Sequence, residues 1–329
     1  MKPRKAPKFA LIALVLGQKI WRLPRIQNLS LAVRNLWKRP VRLPSNVLVT
    51  ATHGSARFPL HLFRHLTVYY QTSPRLLLNF SDYGTKALLD TVPDEQKVIP
   101  RYGRIVGDPN RDLKQKDLIR FEDFGGNKIF RKKFEKRLTT SFLRFIWRRK
   151  FLNYSYHPYY RNVQKKLEHI AKDPANETKP IVFVDVHDVG NRLLGRRSKE
   201  DKERKRKIPK IVISNAPDEE VEEGVFGTAP DYFVEAFADL LSDNLKIDRE
   251  EIKLNHIYKG GNIIRYFGNP RKNSRLRRAL KGRKIFAIQV EFNRSWYLNE
   301  KNQRIYRQKM KFVRSGLMKS LKQTSELEL

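Results

Sequence analysis

The chain contains no cysteine. Disulfides, a thiolate nucleophile and a cysteine-ligated metal are therefore excluded, and any metal site must draw on His, Asp and Glu. The same absence suits a reducing compartment, so a cytoplasmic location is expected. Long apolar runs are also missing. The longest, Phe9 to Leu16, has eight residues, far short of the roughly 20 needed to span a bilayer. Residues 1–21 place that run behind a basic start, but no small-x-small cleavage site follows. An amphipathic or packed segment is expected there, with export or peripheral membrane attachment as the alternative. Acidic residues are scarce: 34 Asp and Glu stand against 69 Lys and Arg, a net charge of +35. Such a field attracts polyanions and steers acidic substrates. Aromatics are not systematically interleaved with the basic residues and no nucleic-acid motif stands out, so nonspecific polyanion binding is expected. No internal repeat is present, and oligomeric state is not encoded in any pattern we find.

What the chain does have is a set of short Val/Ile-rich runs ending in reactive residues. Val47 to His53, Ile181 to His187 and Ile285 to Glu291 read as strands buried on both faces, the pattern of a mostly parallel sheet. Ile211 to Ser214 adds another strand, and 76–80 reads as one more. Helices are expected from Thr85 to Thr91, over 159–172, from Pro230 to Leu245 and near 300–321. Residues 60–71 read as a short helix or strand, and 98–106 as an Arg-rich strand or loop. Aromatics at helical spacing in 112–150 (Phe130, Phe134, Phe142, Phe145, Trp147) are expected to pack that stretch onto the body. The charged excursion 196–207 reads as an exposed loop. Alternating strands and helices predict a three-layer αβα fold around a mixed, mostly parallel sheet. The organisation expected is a basic extension over 1–44, then a single α/β domain over 45–329 with basic inserts near 112–150 and 192–210.

Alternation along the strands puts Val47, Val49, Ala51 and His53 on one face, Asp185 with His187, and Gln289 with Glu291 and Asn293. A single buried His at a strand end is more often structural than ligating. Two of them, with a glutamate on a third strand, make the parts of a metal-dependent hydrolase: imidazoles for the ion and a carboxylate for a proton.

Six segments in order resemble the N-formylglutamate amidohydrolase (N-formylglutamate deformylase) family, related in architecture to zinc carboxypeptidases. Thr52-His53-Gly54-Ser55 with Pro59 resembles Pro-His-Ser-Gly. Ser81-Asp82-Tyr83-Gly84-Thr85 resembles an Asp-containing helix start. Arg101 with Asp108-Pro109-Asn110-Arg111 resembles Arg … Asp-x-Asn-Arg. Val184-Asp185-Val186-His187-Asp188 resembles Asp-x-His-Ser. Asn255, Tyr258-Lys259-Gly260-Gly261 and Arg265 to Gly268 resemble Asn-x-Pro-[FY]-Lys-Gly-Gly … Arg-x-x-Gly. Gln289-Val290-Glu291-Phe292-Asn293-Arg294-Ser295 with Tyr297 resembles Gln-x-Glu-x-Asn-Arg-x-x-Tyr. The departures are Thr52 for Pro, Asp188 for Ser and Lys86 where a second Asp is common.

The resemblance implies a zinc-carboxypeptidase-like fold and a Zn2+ site with His53 and His187 as ligands. Zinc carboxypeptidases carry a Glu three residues after the first His, where this chain has Ala56. Asp82 is therefore the candidate third ligand, with the N-cap of the following helix as its other reading. Glu291 matches the catalytic glutamate, a general base on the zinc-held water. Asn110 and Arg111 match residues that hold a substrate carboxylate, and Arg101 would bind a second carboxylate or stabilise an oxyanion. Asp108 would position Arg111, and Asp185 a ligand or an arginine. Lys259, Gly260 and Gly261 would form a tight loop over the site. The implied reaction is cleavage of the amide bond of a small acidic N-acyl amino acid. The alternatives are a carboxypeptidase or cell-wall amidase on the same scaffold, or a catalytically inactive basic protein that binds nucleic acid or an anionic surface.

Overall fold

The computed structural model describes residues 40–123, 126–190, 208–299, 304–324 and 327. The expectations for residues 1–21 and for the loop 196–207 lie outside the described residues, as does the stretch 300–303.

The strands are β1 (Val47–Thr50), β2 (Lys97–Val98), β3 (Ile181–Val189), β4 (Ile211–Ser214), β5 (Glu220–Glu222), β6 (Val225–Phe226), β7 (Ile252–Leu254), β8 (Ile285–Asn293), β9 (Leu298–Asn299) and β10 (Arg304–Ile305). Six of them form the central sheet in the order β2-β1-β3-β8-β4-β7, while β5-β6 and β9-β10 are separate hairpins. Within the main sheet β2, β1, β3 and β8 are mutually parallel. Strand β4 runs antiparallel to β8 and parallel to β7. The sheet is thus mixed and mostly parallel, as expected.

The helices are α1 (Leu60–Phe63), α2 (Val68–Thr72), α3 (Tyr83–Leu88), α4 (Lys132–Thr139), α5 (Arg144–Leu152), α6 (Tyr156–Lys172), α7 (Asp231–Leu245), α8 (Asn262–Phe267), α9 (Ser274–Leu280) and α10 (Arg307–Gln323). Strand alternation sorts the core into two layers. On one face Val47, Val49, Val182, Val184, Val186, Ile288 and Val290 pack with α3, α7 and α10. On the other, Leu48, Ile181, Phe183, Ile285 and Ala287 pack with α6, α8 and α9. Each buried Val, Leu, Ile or Phe among them contributes about 1.5–3 kcal/mol by leaving water. A third apolar cluster joins α1, α2, α4 and α5 to α6 through Leu62, Tyr70, Phe134, Phe151 and Tyr156.

Two local expectations differ. Residues 74–80 are a 3-10 helix rather than a strand. Pro74 opens it with a preset φ and no N–H to give a neighbouring strand. The aromatics of 112–150 are also divided: Phe130 and Phe134 are buried, whereas Phe142 is fully exposed and Phe145 is 72% exposed.

Candidate metal centre

On the α6–α8–α9 face, the carboxyl ends of β3 and β8 exchange apolar for polar side chains. Phe183 gives way to Asp185 and His187, and Ala287 to Gln289 and Glu291. The parallel register sets Asp185 beside Gln289 and His187 beside Glu291. In β1 the expected alternation stops short. The strand ends at Thr50, and a turn closed by Gly54 N–H donating to the Ala51 carbonyl (2.9 Å) follows. Val47, Val49 and Ala51 belong to the opposite core layer. It is the turn, not continued alternation, that brings His53 to His187, with ring centroids 4.8 Å apart.

Asp82 lies between the two rings. It precedes α3, but its side chain makes no capping hydrogen bond. Instead Asp82 Oδ2 is 2.9 Å from His187 Nδ1 and 3.4 Å from His53 Nδ1. His53, Asp82 and His187 are all buried and offer ligand atoms within 4.8 Å of one another, so the group could hold a metal ion.

Each histidine is fixed from behind. His53 Nε2 meets Asp108 Oδ1 at 2.7 Å, and His187 Nε2 meets Asp185 Oδ2 at 2.7 Å. Asp108 is held in turn by Arg104, through Nε at 2.9 Å and a terminal nitrogen at 2.7 Å. Asp185 accepts from the hydroxyls of Thr50 and Thr52, both at 2.6 Å. With both Nε2 atoms engaged by carboxylates, both Nδ1 atoms are left to face Asp82. A carboxylate behind each imidazole is the arrangement that orients metal-ligating histidines.

The electrostatics follow from this packing. Burial alone would raise the Asp82 carboxyl, but hydrogen bonds from His187 and His53 hold it well below the usual carboxylate range. Asp108 is likewise opposed by burial, and Arg104 and His53 hold it low. Burial would lower His187, but Asp185, Glu291 and Asp82 raise it well above the ordinary histidine value. Glu291 is raised, first by burial and then by Asp82 and Asp185 against the pull of the histidines. On the far side of β3, Arg294 reaches Asp188 (2.7 Å) and approaches Asp82 (3.6 Å).

Glu291 is positioned by a chain of amides. Gln289 Oε1 accepts from Gly261 N–H (2.9 Å) and Asn110 Nδ2 (3.4 Å), so the Gln289 amide nitrogen is turned to donate to Glu291 Oε1 (2.8 Å). Gly260, at φ +87°, turns the backbone in a region that favours glycine. A Cβ on Gly261 would stand 2.0 Å from the Asn110 side chain. The Gly261→Ala variant is therefore expected to lose about 1–3 kcal/mol of stability through overpacking against Asn110. Thermal denaturation reads this loss, and an unchanged melting temperature would show that this turn does not pack on Asn110.

The remaining sequence candidates are placed less centrally. Arg111 Nε is 3.1 Å from Asp117 and 3.9 Å from Asp108, so Asp108 serves His53 and Arg104 more closely than Arg111. Lys259 is exposed, and its carbonyl accepts from Arg265. Arg101 is also exposed, with its guanidinium 5.3 Å above the Tyr102 ring. The structure does not bring it among the buried groups; Arg104 is there instead. Arg104 and Gln289 carry positioning roles that the sequence reading did not assign. The four-residue step from Arg104 to Asp108, and Gln289 two residues before Glu291 on the same strand face, are the signals that point to them.

Comparison with known proteins agrees with this architecture. A crystal structure of N-formylglutamate amidohydrolase from Ralstonia eutropha JMP134 superposes with a TM-score of 0.57 at 19% identity, covering 88% of this chain and 96% of that one. The gene product Atu2144 from Agrobacterium tumefaciens gives a TM-score of 0.51 at 14% identity, covering 87% and 93%. At these identities the likeness is one of fold. No curated protein sequence matches the chain significantly. The sequence profile of the N-formylglutamate amidohydrolase family matches residues 45–298, and the chain belongs to that family.

Proposed function

We propose that the protein is a zinc-dependent amidohydrolase that cleaves the amide bond of a small acidic N-acyl amino acid, N-formylglutamate-like in size and charge. The observation that carries this reading is the convergence of His53, Asp82 and His187 within 4.8 Å, with Glu291 in register beside His187. Two neutral imidazoles and one carboxylate form a donor set that suits a catalytic zinc, which keeps an open position for water or substrate. Bound there, zinc would polarise the amide carbonyl and acidify a water molecule.

The chain's own residues do the rest. Glu291, raised by burial, takes the proton of the attacking water and returns it to the departing amine nitrogen. Gln289 holds the Glu291 carboxylate in place. Asp108 and Asp185 hold Nε2 of each histidine, so that Nδ1 would be free to hold the ion. Arg111, with Asn110, anchors a substrate carboxylate. Lys259 and the Gly260–Gly261 turn close over the bound molecule. The chain's excess of positive charge favours the approach of an anionic substrate.

The experiment pairs metal uptake with turnover. Zinc-loaded protein is expected to release glutamate from N-formylglutamate, and chelation to stop it. Because a ligating imidazole must be neutral, and the carboxylate neighbours of His187 raise its affinity for a proton against the effect of burial, zinc uptake should expel a proton and weaken as pH falls. Calorimetry in buffers of different ionisation enthalpy reads that proton. A protein that takes up no zinc and hydrolyses no N-acyl amino acid would overturn the proposal.

A further inference from the structure

We propose that the α4–α5 face docks the protein on an anionic lipid bilayer. Two neighbouring features carry this. The first is an apolar group left in water at the start of α5: Phe142 is fully exposed, Phe145 72%, Ile146 59% and Leu143 46%. Phe151 and Leu152, at the other end of α5, are buried in the third apolar cluster and fix the helix to the body. The second is an open pocket of about 360 Å³ lined by Arg64, His65, Arg131, Lys133, Phe134 and Arg137, with no carboxylate among its walls. The two features touch, since the Arg137 guanidinium lies 5.2 Å over the half-buried Trp147 ring of α5. Between 128 and 152 the sequence has ten Lys and Arg, and Glu135 is the one acidic residue.

Apolar side chains that project from a strongly basic helix are the two components of interfacial binding: the first enter the acyl boundary and the second pair with lipid phosphates. The pocket supplies a place for a headgroup phosphate beside the projecting rings. A second copy of this chain is a poor occupant, because it would bring the same +35 charge to the contact. Nucleic acid would satisfy the cations and could stack on the phenylalanines, but it offers nothing to Leu143 and Ile146. A bilayer interior accepts all four.

The full-length protein should co-sediment with vesicles containing phosphatidylglycerol in phosphatidylcholine, and not with phosphatidylcholine alone. Replacing Phe142, Phe145 and Ile146 together by Ser should weaken binding by about ten-fold or more. These side chains are solvent-exposed, so the melting temperature should hold. Lys133→Glu with Arg137→Glu should weaken it by a similar factor and flatten its salt dependence. Unchanged vesicle affinity in either folded variant would overturn the proposal. So would binding to duplex DNA or single-stranded RNA that is tighter than to the vesicles and insensitive to the serine substitutions. None of these residues belongs to the metal centre, so hydrolysis of a soluble substrate should be unaffected.

Discussion

Glu291→Gln is expected to keep its metal and lose its turnover, with kcat falling by about 10²–10⁴, the usual contribution of a positioned acid–base group. The substitution is close to isosteric. Glutamine can still accept from Gln289 Nε2, the bond that holds Glu291 at 2.8 Å, so the fold and the two histidines stay in place. What it loses is the ability to hold a proton. The sign of the pH effect follows from the direction of the shift. Burial and the neighbouring carboxylates raise Glu291 above the usual carboxylate range, and a base must be ionised to act. Activity of the wild type should therefore climb as pH rises through that elevated value, and the variant should lose the climbing limb along with the rate. Metal content measured beside kcat/KM separates a lost base from a lost ion. A variant with normal turnover would remove Glu291 from the mechanism.

His187→Ala should do the opposite, losing the metal and with it the stability of the metal-loaded state. In the metal-free protein it also removes the nearest partner of Asp82, at 2.9 Å, and the imidazole partner of Asp185, at 2.7 Å. Breaking a buried pair in this way costs about 3–5 kcal/mol. His53→Ala leaves Asp108 supported by Arg104, so its cost to the metal-free fold should be smaller, although it too should abolish stoichiometric zinc. Asp82→Asn tests the third ligand at constant shape. It should abolish tight zinc binding, whereas Asp108→Asn, one step removed, should weaken it by about 10–100-fold. Zinc analysis with thermal denaturation distinguishes these. Full zinc content in both histidine variants would refute the ligand assignment, and full content in Asp82→Asn would move the third ligand elsewhere. Where His187→Ala fails to fold, Asp82→Asn and His53→Ala still decide the question.

Much of this centre was legible in the chain because strand alternation is a strict rule. Asp185 with His187 and Gln289 with Glu291 follow Phe183 and Ala287 at steps of two, and the structure keeps them on one face. His53 was identified for a reason that did not hold. Periodicity cannot show where a strand stops, and β1 stops at Thr50, so a turn delivers the ring. The roles of Asp108 and Asp82 were open for a related reason. A residue before a helix can cap it or look away, and only the nearby imidazoles decide the matter for Asp82. Arg101 and Arg104 flank two residues of the same loop, and its backbone path buries the second. The run 76–80 misled because three consecutive leucines suit a strand, a short helix or a packed loop equally well. Aromatic spacing over 112–150 led to the expectation that all these rings pack onto the body, but it could not show which would be covered, since that depends on a partner surface far along the chain.

The position of β8 has a consequence for how the protein is made. This strand, residues 285–293, lies between β3 and β4 in the middle of the sheet, yet it is the last of the six sheet strands in chain order. Until it inserts, β3 and β4 have no common neighbour and present unpaired backbone edges. The sheet can close only after its last strand in chain order has been synthesised, a topology of long-range pairings that folds slowly. Nascent chains should accordingly depend on chaperones more than their size suggests, and truncation anywhere before residue 293 should yield insoluble product rather than a smaller folded unit.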